Sequence, residues 1–201
     1  MNTFVILVML ANGAAPPPPV WNPAARTEVT ECDRLASGRY DRDRLAKPVA
    51  RADIDVPAAI RQCEADLARH PGDGHIHFHL GRLYGYSGDT AKTLWHRQAA
   101  AAAGNPNAIF LLGYLGMLSA KDVPARCAAN TQMKLAAERG NYSARIAYSA
   151  FVLEGRFVDC SDVATREQVA GFVKAARPQV DGFFETLLAE HLASEATRGK
   201  P

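Results

Sequence analysis

Residues 80–105 read LGRLYGYSGDTAKTLWHRQAAAAAGN, and this stretch is the most informative about the fold because parts of it recur further along the chain. Gly104-Asn105 recurs as Gly140-Asn141, and Leu80-Gly81 recurs as Leu112-Gly113. Each Gly-Asn pair follows an alanine-rich segment and precedes a segment in which small and large apolar residues are interleaved at helical spacing. A recurring unit that reads as helix, turn, helix is typical of stacked helix pairs.

The pattern divides the middle of the chain into three units, at about 74–105, 106–141 and 142–177. Gly81 and Gly113 stand inside predicted helices, where glycine costs about 1 kcal/mol relative to alanine. A helix tolerates that cost where another backbone passes close by, so we expect the two helices of a unit to touch at these glycines. Because alanine is abundant and β-branched residues are sparse, the pattern predicts an all-α fold, an α/α solenoid of helix-turn-helix repeats.

Two further helical segments flank the repeats. Residues 27–73 are predicted to form an N-terminal helical hairpin, with a loop at 40–54 and a second helix that starts at Pro57. Residues 178–196 are predicted to form a helix that caps the C-terminal end of the stack, and the tail 197–201 is predicted to be disordered. The apolar positions of the capping helix are Val180, Phe183, Phe184, Leu187, Leu188 and Leu192.

The chain begins with a short apolar segment, MNTFVILVMLANGAA at positions 1–15. Its length and its small residues Gly13 and Ala15 are typical of a signal peptide, although no Lys or Arg precedes the apolar core. The segment is too short to span a bilayer as a helix, and a retained membrane anchor is the alternative interpretation. A proline-rich extended spacer follows at 16–26. The sequence therefore predicts an exported protein, either periplasmic or secreted.

The four cysteines are Cys32, Cys63, Cys127 and Cys160. No C-x-x-C occurs, which argues against a zinc module, and an even number in an exported protein suggests two disulfides. The sequence permits three pairings, and free thiols in a cytosolic protein are the alternative. Cys32 and Cys63 fall on successive predicted helices, while Cys127 and Cys160 flank the first helix of the third unit. We therefore predict the pairs Cys32–Cys63 and Cys127–Cys160.

The repeated residues resemble the Sel1-like repeat, a TPR-like family. The matching segments are Leu80 to Tyr84, Gly88-Asp89, Trp95 to Ala100 and Gly104-Asn105. They follow the family pattern of Leu-Gly, an aromatic residue, Gly, then an aromatic residue followed by Ala-Ala and Gly.

The resemblance is weaker in the later units, where Gln132 stands for an aromatic residue and Ser149 stands for a glycine. Residues 31–71 are similar to the leader hairpin of exported proteobacterial members. The family implies an α-solenoid that scaffolds or regulates other proteins, and it carries no catalytic residues to transfer to this chain.

Composition and motifs argue against several classes of function. Lys and Arg number 23 against 21 Asp and Glu, without a basic run, so nucleic acid is not an expected partner. No G-x-S-x-G, H-E-x-x-H or Walker loop occurs, so we expect neither an enzyme nor a cofactor. A membrane is an expected partner only through a retained leader.

A solenoid places the first helices of successive units side by side, here at about 75–87, 107–119 and 142–154. Leu80 and Leu112 on these helices are predicted to be buried between units. Aromatic and arginine side chains that remain on the surface are the types that dominate binding energy. The resemblance implies that the partner is a protein or peptide, such as an envelope regulator or sensor. The predicted partner-binding residues are Arg82, Tyr86, Tyr114 and Arg145.

Four of the six histidines fall within ten residues, from His70 to His79. On a helix, His75 and His79 are one turn apart, which suits two metal ligands. A metal-binding or envelope-ligand-binding module at this segment is therefore the alternative function. The simpler interpretation is that these histidines form a solvated polar face, and that Trp95 on the following helix lies in the core.

Overall fold

A computed structural model describes residues 26–198, and every regular element within them is a helix. The α-helices of this range are α1 (Glu31–Ala36), α2 (Val56–Arg69), α3 (Gly74–Ser87), α4 (Thr90–Ala102), α5 (Pro106–Ser119), α6 (Val123–Glu138), α7 (Tyr142–Leu153), α8 (Arg166–Ala176) and α9 (Phe183–Thr197). Short 3-10 turns precede α2, at Arg51–Asp53, and α9, at Arg177–Gln179. The predicted leader at 1–15, nearly all of the predicted spacer at 16–26, and residues 199–201 of the predicted tail lie outside the described residues. Within the described range no helix combines the length and the apolar character needed to cross a bilayer.

The three predicted units begin at one kind of junction, a glycine with positive φ followed by an Asp or Asn that caps the next helix. Gly104 and Gly140 have φ of 88° and 92°, and Asn105 and Asn141 accept hydrogen bonds from the first turns of α5 and α7. The junction before α3 has the same form, with Gly72 at φ 81° and Asp73 as the cap. Left-handed backbone favours glycine, and short polar side chains satisfy the free N–H groups of a helix start.

The glycines inside α3 and α5 lie where the two helices of a unit meet. A Cβ atom on Gly113 would stand 3.1 Å from the backbone nitrogen of Met133 on α6. A Cβ atom on Gly81 would stand 3.3 Å from the backbone nitrogen of Arg97 on α4. The predicted close approach is therefore confirmed in the first two units. The third unit has Ser149 at this position, buried and bonded to the Arg145 carbonyl of its own helix.

Consecutive helices pack against one another along the chain, and α1 also packs on α3. One core joins the N-terminal hairpin to α3, and a second joins α5, α6, α7 and α8. A third, smaller core lies mainly between α7, α8 and α9. Leu80 is fully buried as predicted, whereas Leu112 is only half-buried, because it is not part of a shared core.

Both predicted disulfides are present. Cys32–Cys63 joins α1 to α2 with 4.6 Å between the Cα atoms. Cys127–Cys160 joins α6 to the turn between α7 and α8 with 5.3 Å between the Cα atoms. Each pair closes a loop of similar length, 31 and 33 residues apart in sequence.

Helix α9 packs on α7 and α8 as expected of a capping helix, but not through its large apolar residues. It buries Ala189, Leu192 and Ala196. Phe183 and Phe184 are 70% and 82% exposed, so the prediction that the apolar positions of this helix cover the core is wrong for its first turns. The buried residues are spaced three and four positions apart on one face of the helix, and Phe183 and Phe184 do not fall on that face.

Candidate functional site

The segment after α1, residues 37–48, crosses the N-terminal ends of α3, α5 and α7; we call it the crossing loop. Its two ends are held together because the Val49 N–H donates to the Ser37 carbonyl at 3.0 Å. At its start, the Arg82 guanidinium on α3 donates to the Ala36 carbonyl. The loop therefore follows α1 in the sequence but lies against the N-terminal ends of α3, α5 and α7.

Polar side chains fix the crossing loop to all three helices. Asn107 on α5 donates to the Asp41 carboxylate at 2.9 Å, and the carboxylate also lies 3.9 Å from the His75 ring on α3. Arg42 lies 4.9 Å from the centre of the Tyr142 ring on α7 and donates to the Gln179 carbonyl at 2.8 Å. Asp41 is buried, so its contacts with Asn107 and His75 lie in the interior of the protein.

The helix starts are themselves linked by asparagine amides. Asn105 donates to the Gly74 carbonyl at 3.3 Å, which joins α5 to the start of α3. Asn141 donates to the Asn107 side chain at 2.7 Å, which joins α7 to α5. The surface under the crossing loop is therefore preorganised by hydrogen bonds between the starts of α3, α5 and α7.

A first cavity of about 310 Å³ opens between the crossing loop and the helices α3 and α5. We call it the aromatic pocket. From α3 it takes Phe78, Arg82 and Tyr86, which are one turn apart on a single face. Its other lining residues are Gly38, Arg39, Tyr40, Asp41, Asn107, Phe110, Leu111 and Ser143.

A second cavity of about 640 Å³ is lined by the later part of the crossing loop, residues 42–48, and by the start of α7. We call it the basic cavity. Asn107 lines both cavities, so they adjoin one another. The lining residues are Arg42, Asp43, Arg44, Leu45, Ala46, Lys47, Pro48, Asn107, Gly140, Asn141, Tyr142 and Gln179.

The four predicted partner-binding residues do not form one site. Arg82 and Tyr86 line the aromatic pocket, where the Arg82 guanidinium lies 5.8 Å from the Tyr86 ring. Tyr114 instead stacks on Phe151 at 5.9 Å. Arg145 donates to the Ala137 carbonyl at 3.2 Å and lies against the end of α6. Sequence reasoning missed the crossing loop, which contributes Asp41 and Arg42 from a segment that was expected only to be a loop.

The histidines of α3 are buried, so the prediction of a solvated polar face is wrong. His79 lies 3.3 Å from the Asp33 carboxylate of α1, and His75 lies near Asp41 of the crossing loop. These carboxylates come from the N-terminal hairpin, which packs on the face that the helical pattern leaves polar. Among residues 26–198 no group of three or more His, Cys, Asp or Glu side chains is arranged to hold a metal ion.

Asp33 is the centre of a buried ion network that joins α1 to the start of α3. Arg26 lies 2.6 Å from the carboxylates of both Asp33 and Asp73. Burial by itself would raise the pKa of Asp33, but hydrogen bonds from His79, Arg26 and Thr30 outweigh it and hold that pKa far below its usual range. Asp33 is therefore ionised at neutral pH, and its partners join α1 to the start of α3.

A second polar cluster lies between α3 and α4. The Nδ1 atoms of His77 and His96 are 3.0 Å apart, so one ring donates the proton and the other accepts it. Burial, followed by the neighbouring His77, lowers the pKa of His96 to about 4. Trp95 packs edge-on against both rings but is 58% exposed, so its predicted place in the core is wrong.

Comparisons with protein-family models, curated proteins and solved structures give no match for this chain.

Proposed function

We propose that this protein is a non-catalytic interaction module that binds a protein or peptide partner along the groove formed by the crossing loop and the N-terminal ends of α3, α5 and α7. The observation that carries the proposal is the aromatic pocket, where Phe78, Tyr86 and Phe110 surround a cavity of about 310 Å³. A cavity of this size accepts one or two apolar side chains of a partner. Aromatic and arginine walls are the types that give the strongest contacts at interfaces.

The stacked helix pairs support a repeat scaffold of the Sel1-like kind. Three Gly-Asx junctions begin successive units in the same backbone conformation. In two of the units a glycine brings the paired helices together. Repeat scaffolds of stacked helix pairs present extended binding surfaces rather than a single enclosed active site.

The cell envelope is the compartment that we propose for this function. Two disulfides are compatible with an oxidising extracellular compartment, since cytosolic thiols are kept reduced. An envelope regulator or sensor fits as the partner, because a non-catalytic protein in this compartment would act by binding another protein.

Selection of peptides from a phage-displayed library on the oxidised protein tests the proposal. We expect the selected peptides to lose at least about tenfold in affinity on Tyr86→Ala, since truncating an aromatic anchor at an interface costs 1–2 kcal/mol or more. Phe184→Ala is the matched control, because it removes an exposed aromatic ring that lines neither the aromatic pocket nor the basic cavity. Circular dichroism must show equal helicity for both variants.

The opposite pattern contradicts the groove. If the selected peptides bind Tyr86→Ala as tightly as the wild type and lose affinity on Phe184→Ala, the partner surface lies on α9 instead.

A further inference from the structure

The wall of the basic cavity carries an excess of positive charge. Arg42, Arg44 and Lys47 line it from the crossing loop, against the single carboxylate of Asp43. Arg42 is partly neutralised, because Asp181 lies 3.8 Å away. Arg44 and Lys47 have no carboxylate within 4.0 Å in the part of the chain that the structure describes.

Arg44 is held in place without being neutralised. Its guanidinium donates to the Asp41 carbonyl at 2.9 Å, and Asp41 is itself fixed by Asn107. A hydrogen bond to a neutral carbonyl uses one of the five N–H donors of arginine and leaves its charge and its other donors for a ligand. The side chain is therefore ordered before a ligand arrives, which lowers the entropic cost of binding.

The start of α7 adds to the positive potential. Gly140, Asn141 and Tyr142 line the cavity at this helix end. The aligned peptide dipoles of a helix place a partial positive charge there. Tyr142 does not oppose it, since burial and the bond to Glu185 raise the pKa of the phenol to about 12 and keep it uncharged.

The basic cavity adjoins the aromatic pocket at Asn107, so one extended ligand would reach both. We propose that the basic cavity binds the carboxylates of an acidic peptide segment whose neighbouring apolar side chain occupies the aromatic pocket. This inference rests on the proposed function, and it adds the chemistry of the partner: an apolar anchor next to a run of Asp or Glu. The cations at positions 42, 44 and 47 are spaced along an irregular segment, which suits several carboxylates on one peptide better than a single compact anion.

Isothermal titration calorimetry on the oxidised full chain tests the acidic segment with two probe peptides. The first is acetyl-Leu-Glu-Glu-Glu-Glu-amide, and the second replaces every Glu with Gln. We expect the Gln peptide to bind at least about tenfold more weakly, because hydrogen bonds to charged groups contribute about 1.5–3 kcal/mol. Binding of the Glu peptide, and not of the Gln peptide, should also weaken as the salt concentration rises.

Charge-removing variants locate the effect. Arg44→Gln and Lys47→Gln should each weaken the Glu peptide about three- to tenfold and leave the Gln peptide unchanged. Lys121→Gln is the matched control, since it removes an exposed lysine from the turn between α5 and α6. The inference is wrong if Arg44→Gln binds the Glu peptide as wild type does, if the Gln peptide binds equally well, or if the Glu peptide fails to bind at millimolar concentration. It is also wrong if inorganic phosphate binds more tightly than the Glu peptide, because the cavity then selects a compact anion.

Tyr86→Ala separates this inference from the proposed function. Loss of the anchor pocket should weaken both peptides by a similar factor. If Tyr86→Ala leaves both affinities unchanged while Arg44→Gln weakens the Glu peptide, the acidic site stands and the aromatic pocket is not part of it. If Tyr86→Ala weakens both peptides and Arg44→Gln has no effect, the pocket stands and the acidic site is wrong.

Discussion

The two ends of the described chain are held to their neighbouring helices in different ways. At the N-terminal end, α1 is joined to α2 by a disulfide and to α3 by the buried ion network of Arg26, Asp33 and Asp73. At the C-terminal end, α9 rests on small buried residues and leaves Phe183 and Phe184 exposed. The N-terminal hairpin is therefore more than an end cap, because the segment that it holds in place, the crossing loop, forms one wall of the proposed binding groove.

The largest effect is expected from removing the disulfide that anchors the hairpin. Replacing Cys32 and Cys63 together by serine should lower the free energy of unfolding by about 3–4 kcal/mol, since a loop of this length loses its constraint in the unfolded state. The pair Cys127→Ser and Cys160→Ser is the control, because its loop is nearly as long. Urea denaturation should give similar losses for both pairs, whereas only the first pair should also weaken peptide binding in the groove. Equal effects of the two pairs on peptide binding would show that the N-terminal disulfide has no special role in holding the groove.

Asp33→Asn should lower the free energy of unfolding by about 3 kcal/mol, because it leaves Arg26 and His79 with a neutral partner in a buried site. Asp159→Asn is the matched control, since its ion pair with Arg126 is exposed and should contribute less than about 1 kcal/mol. Urea denaturation at pH 7 measures both values. A loss of less than 1 kcal/mol for Asp33→Asn would mean that the ion network does not hold α1 in place.

The histidine cluster between α3 and α4 should make stability depend on pH. His96 has a pKa of about 4 in the folded protein and about 6.5 when unfolded, so the unfolded chain binds more protons between these values. A shift of this size corresponds to at most about 3 kcal/mol, and partial screening by solvent reduces it to about 2 kcal/mol. This contribution to stability is present above pH 6.5 and is lost as the pH falls toward 4. The lowered pKa values of His75 and His77 act in the same direction.

His96→Asn tests this assignment, because an amide keeps a hydrogen-bonding atom near the Nδ1 position and does not titrate. Its unfolding free energy should fall less between pH 7 and pH 4 than that of the wild type. The control His191→Asn removes an exposed histidine from α9 and should leave the wild-type pH dependence intact. If His96→Asn keeps the wild-type pH dependence, His96 does not cause the loss of stability at low pH.

The smallest effect is expected at the C-terminal end. Phe184→Ala should change the free energy of unfolding by less than about 0.5 kcal/mol, since the ring is 82% exposed. Leu192→Ala, on the buried side of the same helix, should lower the free energy of unfolding by about 2–5 kcal/mol. Thermal unfolding of both variants would show whether α9 is held only by its inner face, and a large loss for Phe184→Ala would show that the ring is covered in solution.

Local features of the sequence predicted much of the fold. The Gly-Asn junctions, the glycines at helix crossings and the cysteine pairs each depend on residues whose partners lie in the same helix, in the adjacent helix or in the turn that follows it. The repeat pattern therefore gave the helix starts of α3, α5 and α7 to within one residue.

The candidate site was harder to predict because its contacts are distant in sequence. Asp41 and Asn107 meet across 66 residues, and no periodic signal in an irregular loop indicates where it will pack. The same reason explains the histidines, since His79 meets its partner Asp33 across 46 residues. A polar helix face looks solvated until the carboxylates that pack on it are known.

Hydrogen–deuterium exchange of the oxidised protein, with and without a peptide selected on it, shows directly where the partner binds. We expect slower exchange on binding in the crossing loop and in the first turns of α3, α5 and α7, with α9 unchanged. Protection confined to α9, with no change in the crossing loop, would contradict it.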